Sequence, residues 1–260
     1  MAERAGHDHD AGGDPALLEA KAALRAEVWS RLEEEGVARF PGARNRISNF
    51  RGAEEAAEQL RGARAWQATH TVKANPDSPQ WPVRQRALED GKVVYMAVPR
   101  LAGEDPFFLL DPDHLADTPR RASSIKGASA SARTVAVDEL EPVDLVVTGC
   151  VAVGEDGVRL GKGGGFSDLE FAIAAEAGLI GPGTVVATTV HELQVEPAGR
   201  IPSTEHDIRV DLVVTPERVL EPASGRRADA RIRWEELTDD KVEAIPLLGR
   251  LREQARAGES

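Results

Sequence analysis

Ten residues, Arg159-Leu-Gly-Lys-Gly-Gly-Gly-Phe-Ser-Asp168, combine the ingredients of an anion site. Gly161, Gly163, Gly164 and Gly165 free the backbone to approach a ligand closely and to take positive φ. The segment separates an apolar strand-like run from an amphipathic helix pattern. The glycine N–H groups therefore fall where a helix begins and negative charge is favoured. Arg159 and Lys162 bring fixed positive charge to the same place, and Asp168 stands three residues beyond the last glycine. Two familiar phosphate loops fail on spacing. Asp156 occupies the first glycine position of a Walker A loop and Gly163 its Ser/Thr position, while Phe166 stands where a dinucleotide fingerprint needs a third glycine. The plainer alternative, a flexible loop with two solvated cations, gives no reason for the flanking Arg, Lys and Asp.

Such a loop needs a scaffold. Pro15 opens a helix pattern over 16–36, with Leu17, Leu24, Val28 and Leu32 at helical spacing and Gly36 as the stop. Lys21 and Arg25 are four apart and share one helix face; a solvated face is their ordinary meaning. Residues 53–61 form a short helix pattern, 65–74 a strand, and 76–79 a turn leading into a helix that ends at Asp90 before Gly91. Strands are expected over 92–99, 107–110, 144–153, 184–190 and 208–214, a surface loop over 116–133, and a helix over 166–177 with Phe166, Leu169 and Ile173 on one face. Strands alternating with helices predict an α/β fold, a three-layer α/β/α sandwich with a mostly parallel central sheet. Ligands of such sheets sit beyond the carboxyl ends of the strands. The glycine loop follows the apolar run at 144–153, which places it at that end. Residues 1–14 are polar and glycine-rich, a disordered tail; 15–222 make the α/β domain. Residues 223–260 are a basic linker and helical segments broken near Pro246, an appendage for the core or for another subunit.

Composition narrows the class. A net charge of −12 over 260 residues argues against a general nucleic-acid binder. The chain lacks an apolar run able to span a bilayer, and its first residues lack an apolar signal core, which predicts a soluble cytoplasmic protein with no membrane partner. The single Cys150 forms no internal disulfide and fits a reducing compartment as a buried thiol. Three histidines are acid–base candidates. His191 follows a buried strand and falls at the same sheet edge as the glycine loop; His70 is read as a hydrogen-bonded core residue in mid-strand. His206 with Asp207 is either part of the site or a turn-capping pair. No zinc spacing and no nucleophile elbow occur.

Three segments in order carry a family resemblance: the Lys21/Arg25 pair, the Arg159–Asp168 loop, and Gln194 with Ile201-Pro-Ser-Thr-Glu-His-Asp207 and the strand to Thr215. Over residues 17–216 the chain resembles the 5-formyltetrahydrofolate cyclo-ligase family, in a divergent branch. The resemblance implies the three-layer sandwich and ATP-dependent closure of 5-formyltetrahydrofolate to 5,10-methenyltetrahydrofolate, with release of ADP and phosphate. It assigns ATP contacts to Lys21, Arg25, Arg159, Gly161, Lys162, Gly163, Gly164, Gly165, Phe166 and Asp168. Arg159 and Lys162 become the catalytic cations and Asp168 the Mg²⁺ ligand. The reduced folate falls to Asp77, Gln80 and His206. Phosphorylation would turn a poor formyl leaving group into a good one, a step that asks mainly for positioning and charge neutralisation. Departures bear on the substrate. Where the family loop continues Tyr-Tyr-Asp-Arg, this chain has Phe166, Ser167, Asp168 and Leu169, and the family's folate-side Glu has no secure counterpart in 75–81. Two alternatives stay open: the same ATP site serving another, thiamine-related substrate, and a nucleotide-binding protein without catalysis whose C-terminal helices form an interface.

Overall fold

The structure is a computed structural model and describes residues 14–101, 103, 105–204, 207–223 and 231–258. The expected tail lies outside the described residues except for Asp14, as does most of the expected linker. The helices are α1 (Pro15–Glu34), α2 (Ala53–Gly62), α3 (Arg64–Gln67), α4 (Trp81–Glu89), α5 (Pro119–Ala122), α6 (Ile125–Ser131), α7 (Phe166–Glu176), α8 (Asp239–Ala244) and α9 (Pro246–Gly258). The strands are β1 (Thr71–Ala74), β2 (Val93–Ala97), β3 (Phe107–Leu110), β4 (Arg133–Val135), β5 (Leu145–Val147), β6 (Ala152–Gly154), β7 (Arg159–Leu160), β8 (Val185–Thr189), β9 (Val195–Glu196), β10 (Leu212–Val214) and β11 (Val219–Leu220).

Eight strands form one sheet in the order β11-β10-β8-β5-β1-β2-β3-β4. Its five central strands, β10 to β2, are parallel. The edge strands β11, β3 and β4 are antiparallel. Side-chain alternation builds the layers. Val72, Ala74, Leu145, Val147, Leu212 and Val214 face Ala57, Leu60, Val83 and Ala87 of α2 and α4. Their neighbours Val146, Val186 and Val213 face Leu169 and Ile173 of α7 and Val242, Leu247 and Leu248 of α8 and α9. The result is the expected mostly parallel sheet covered by helices on both faces. The C-terminal helices pack into this same core, and Ile232 N donates to Glu176 Oε1 at 2.7 Å.

Four predicted elements differ. Residues 65–74 hold a strand only from Thr71; the chain before it turns through α3, burying Trp66. His70 accordingly precedes β1 and is exposed, not a core residue. The expected loop over 116–133 contains α5 and α6, whose Ala122 and Ala128 cover the sheet. The strand read over 208–214 narrows to 212–214. The run 144–153 is two strands in two sheets: β5 ends at Val147, and β6 joins β7 and β9 in a second, three-stranded sheet. Gly149 sits in the bend between them. A Cβ there would stand 2.8 Å from Ile47 Cγ2 and 2.9 Å from Gln80 Oε1, so only glycine lets the chain pass. The glycine loop is thus reached through the β6–β7 hairpin rather than directly from the strand. It still lies at the carboxyl end of β5.

Candidate functional site

Helix α1 starts cleanly because Asp14 Oδ1 accepts from Ala16 N at 3.0 Å and Pro15 occupies the first turn. Leu24, Val28 and Leu32 pack on Val151, Val158 and Leu160 of the second sheet. That docking presents Arg25 to the glycine loop and Lys21, one turn earlier, to Asp207. Arg25 Nε donates to Gly161 O at 2.8 Å. Lys21 Nζ lies 3.0 Å from Asp207 Oδ1. Asp207 is itself fixed by Thr204, whose N–H donates to Oδ2 at 2.7 Å.

The loop has the conformation its glycines suggest: φ is +103° at Gly163 and +62° at Gly165, and Gly165 caps the N-terminus of α7. Arg159, on β7, is buried, and its Nη1 donates to Gly149 O at 3.2 Å. Its Nη2 pairs with Asp168 Oδ1 in the first turn of α7. Burial works against the guanidinium charge, but the Asp168 carboxylate, with Cys150 and Asp207 adding to it, outweighs that effect and the net shift is upward. The Arg159 Nε is buried and has no partner. Lys162 is exposed.

Across Gly149 lie the residues expected on the substrate side. Gln80 is fully buried; its Nε2 donates to Thr189 Oγ1 at 3.3 Å, while its Oε1 has no partner. Asp77 Oδ2 would stand 3.3 Å from a Cβ on Gly149. Burial pushes the Asp77 carboxyl above its ordinary range, and the charges of Lys162, Arg84 and Arg159 oppose that shift. These interactions put Asp77 within electrostatic reach of both loop cations. Arg84, wholly buried, holds the segment in shape. Its guanidinium donates to the carbonyls of Asn75, Pro76 and Asp77, and Nε to Ser123 O at 2.9 Å. Burial lowers its pKa to about 10, with Asp77 opposing.

Lys21, Arg25, Arg159, Gly161 to Phe166, Asp168, Asp77 and Gln80 are therefore drawn together. His206 lies outside the described residues. His191 caps a short turn: its Nδ1 accepts from Leu193 N at 3.2 Å and its ring meets Phe50 edge-on at 6.0 Å. Burial lowers its pKa, as befits a neutral structural imidazole. Gln194 ties the bend, donating to Val151 O at 3.0 Å and accepting from His191 N at 2.9 Å. Sequence reasoning missed Asp207 as the partner of Lys21. It also missed a buried pair, Lys73 and Glu170, 3.0 Å apart beneath the loop. Half of the signal for the latter was legible: an acid inside the otherwise apolar stretch Leu169–Ala174 calls for a buried partner, though not for Lys73 in particular.

Cys150 is buried, 3.3 Å from Thr188 Oγ1, and burial pushes its thiol up to about 11. At about pH 8 it is expected to resist alkylation in the native protein and to react after unfolding in urea. Rapid stoichiometric labelling of the native chain would show that the bend over 148–151 opens.

The fold and site define an α/β protein with a cationic glycine cradle at the carboxyl edge of a parallel sheet. A family model described as the 5-formyltetrahydrofolate cyclo-ligase family matches residues 17–216, and the chain belongs to that family. It is 35% identical over 243 residues to a Bos taurus methenyltetrahydrofolate synthase domain-containing protein, covering 93% of this chain and 64% of that one. The Homo sapiens protein of the same name is 34% identical over 231 residues, covering 88% and 60%. The chain thus spans less than two thirds of the length of these curated relatives. Among solved structures, the Aquifex aeolicus 5,10-methenyltetrahydrofolate synthetase shares the fold, with a TM-score of 0.51, 18% identity, and coverage of 84% of this chain and 98% of that one. Among the described residues no helix is long and apolar enough to cross a membrane.

Proposed function

We propose that the chain catalyses the ATP-dependent cyclisation of 5-formyltetrahydrofolate to 5,10-methenyltetrahydrofolate, releasing ADP and phosphate. The observation that carries this reading is the gathering of Arg25, Arg159 and Lys162 at Gly161–Gly165, with Lys21 paired to Asp207 beside Arg159, directly across Gly149 from Asp77 and Gln80. ATP would supply the phosphoryl group that makes the formyl oxygen a good leaving group. The protein's own work is placement. Positive-φ glycines and the start of α7 favour the phosphates, and the cations lower the cost of gathering negative charge. The raised pKa of Asp77 and the open Gln80 Oε1 favour a hydrogen-bonding ring on the other side.

Among the described residues no three His, Cys, Asp or Glu side chains are grouped to hold a metal ion. Mg²⁺ would therefore rely on Asp168, half-exposed and engaged through only one oxygen, together with phosphate oxygens and water; there it would neutralise phosphate charge.

Purified protein with ATP, Mg²⁺ and 5-formyltetrahydrofolate should give the absorbance rise of the methenyl product, and none without ATP. Absence of that rise, with ATP binding intact, would favour a second reading: the same nucleotide site serving another substrate. One observation favours it. Leu169, where the family carries Arg, is buried in the apolar core and contributes no charge to the site. The non-catalytic reading has less support, because Val242, Leu247 and Leu248 of the C-terminal helices are already buried against the chain's own core.

A further inference from the structure

Beneath the cradle, Lys73 and Glu170 are 2% and 4% exposed, in the layer between the sheet and α7. Their neighbours Val146, Leu169, Phe171 and Ile173 are apolar. An ion pair in such surroundings is a poor source of stability, since apolar residues of similar volume commonly do as well or better. Its connections suggest another use. Glu170 Oε2 accepts from Lys73 Nζ at 3.0 Å and from Asn75 Nδ2 at 2.6 Å. With its amide nitrogen turned to the carboxylate, Asn75 turns Oδ1 to Gly149 N, which donates to it at 3.2 Å. Gly149 O accepts from Arg159 Nη1 at 3.2 Å, and Arg159 returns to α7 through Asp168. The bonds close a ring: Glu170, Asn75, Gly149, Arg159, Asp168, and back along two residues of helix. Asn75 O is also gripped by Arg84, which shapes the segment carrying Asp77.

We infer that Lys73 and Glu170 are positioning residues, which orient the Asn75 amide and so hold Arg159 of the phosphate cradle in register with Asp77 and Gln80. This rests on the proposed nucleotide site. A carboxylate at 170 enforces one orientation of the Asn75 amide because it only accepts. Glutamine there could donate or accept, and leucine could do neither. Burial pushes the Glu170 carboxyl above its ordinary range, and the ammonium of Lys73, 3.0 Å away, opposes that shift.

The test is the double variant Lys73→Met with Glu170→Leu, compared with the wild-type chain for melting temperature, ATP affinity by calorimetry, and kcat and KM in the cyclisation assay. The expected result is a melting temperature at or above wild type, with ATP affinity reduced about tenfold and kcat about a hundredfold, the scale of a small misplacement of a reacting group. A double variant with wild-type melting, affinity and kcat would overturn the inference and leave the proposed function standing. A wild-type chain that binds ATP but does not cyclise the folate removes the folate reading alone, and the affinity comparison still decides this one. A wild-type chain that binds no ATP overturns both. Should the double variant not fold, Glu170→Gln keeps the volume and is expected to show the same loss of affinity; wild-type affinity there would count equally against the idea.

Discussion

Exchange of Lys162 for Ala is expected to weaken ATP binding about 10- to 150-fold, the equivalent of the 1.5–3 kcal/mol of a lost charge-assisted hydrogen bond. The melting temperature without nucleotide should barely move, because an exposed, unpaired lysine contributes little to folding. The two readouts together identify a ligand contact. The same substitution removes the largest of the charges that hold Asp77 down, so the Asp77 carboxyl should titrate higher in the variant. Calorimetry with ATP and a thermal melt of the apo protein decide the matter. Unchanged affinity, or a melt that falls in parallel with affinity, would place Lys162 outside the phosphate site.

Arg84→Met should act oppositely, through the fold first. The guanidinium serves carbonyls of Asn75, Pro76, Asp77 and Ser123 from a wholly buried position. Methionine fills much of the volume and serves none of them. Buried acceptors left unsatisfied cost about 1–3 kcal/mol each. Some will find water, so a net loss of about 3–5 kcal/mol is expected, read as a lower urea midpoint at unchanged slope. A loss within about 1 kcal/mol would mean that the 75–77 segment holds its shape without this anchor. Because Arg84 also shapes the segment that carries Asp77, folded survivors are expected to show a raised KM for the proposed folate substrate.

Much of the scaffold was legible in the residues. The central strands other than β1 are short, mostly apolar runs, and the helix after the glycine loop shows its period plainly. What escaped notice has physical reasons. Residues 144–153 are almost uniformly apolar or small, so no pattern marks the bend at Gly149; only the crowding of Ile47 and Gln80, supplied by distant segments, reveals it. The stretch over 116–133 is rich in Ser, Ala and Arg, which reads as loop, although Ala122 and Ala128 are the small residues that let α5 and α6 lie close to the sheet. At the site, the cations and the loop were readable because their types and spacing are local. Asp207 was overshadowed by the more reactive His206 beside it. The partnership of Lys73 with Glu170 spans 97 residues, and no local spacing encodes it.

Helix α1 makes its site contacts across 136 residues, from Arg25 to Gly161, and across 186, from Lys21 to Asp207. A ribosome delivers this helix long before either partner. The cradle can therefore close only after residue 207 has emerged, and the apolar side of α1 waits in solvent until Val151, Val158 and Leu160 have been made. Assembly of the site is a late, long-range event in the life of each chain, and slow translation upstream of that point would prolong its most adhesive stage.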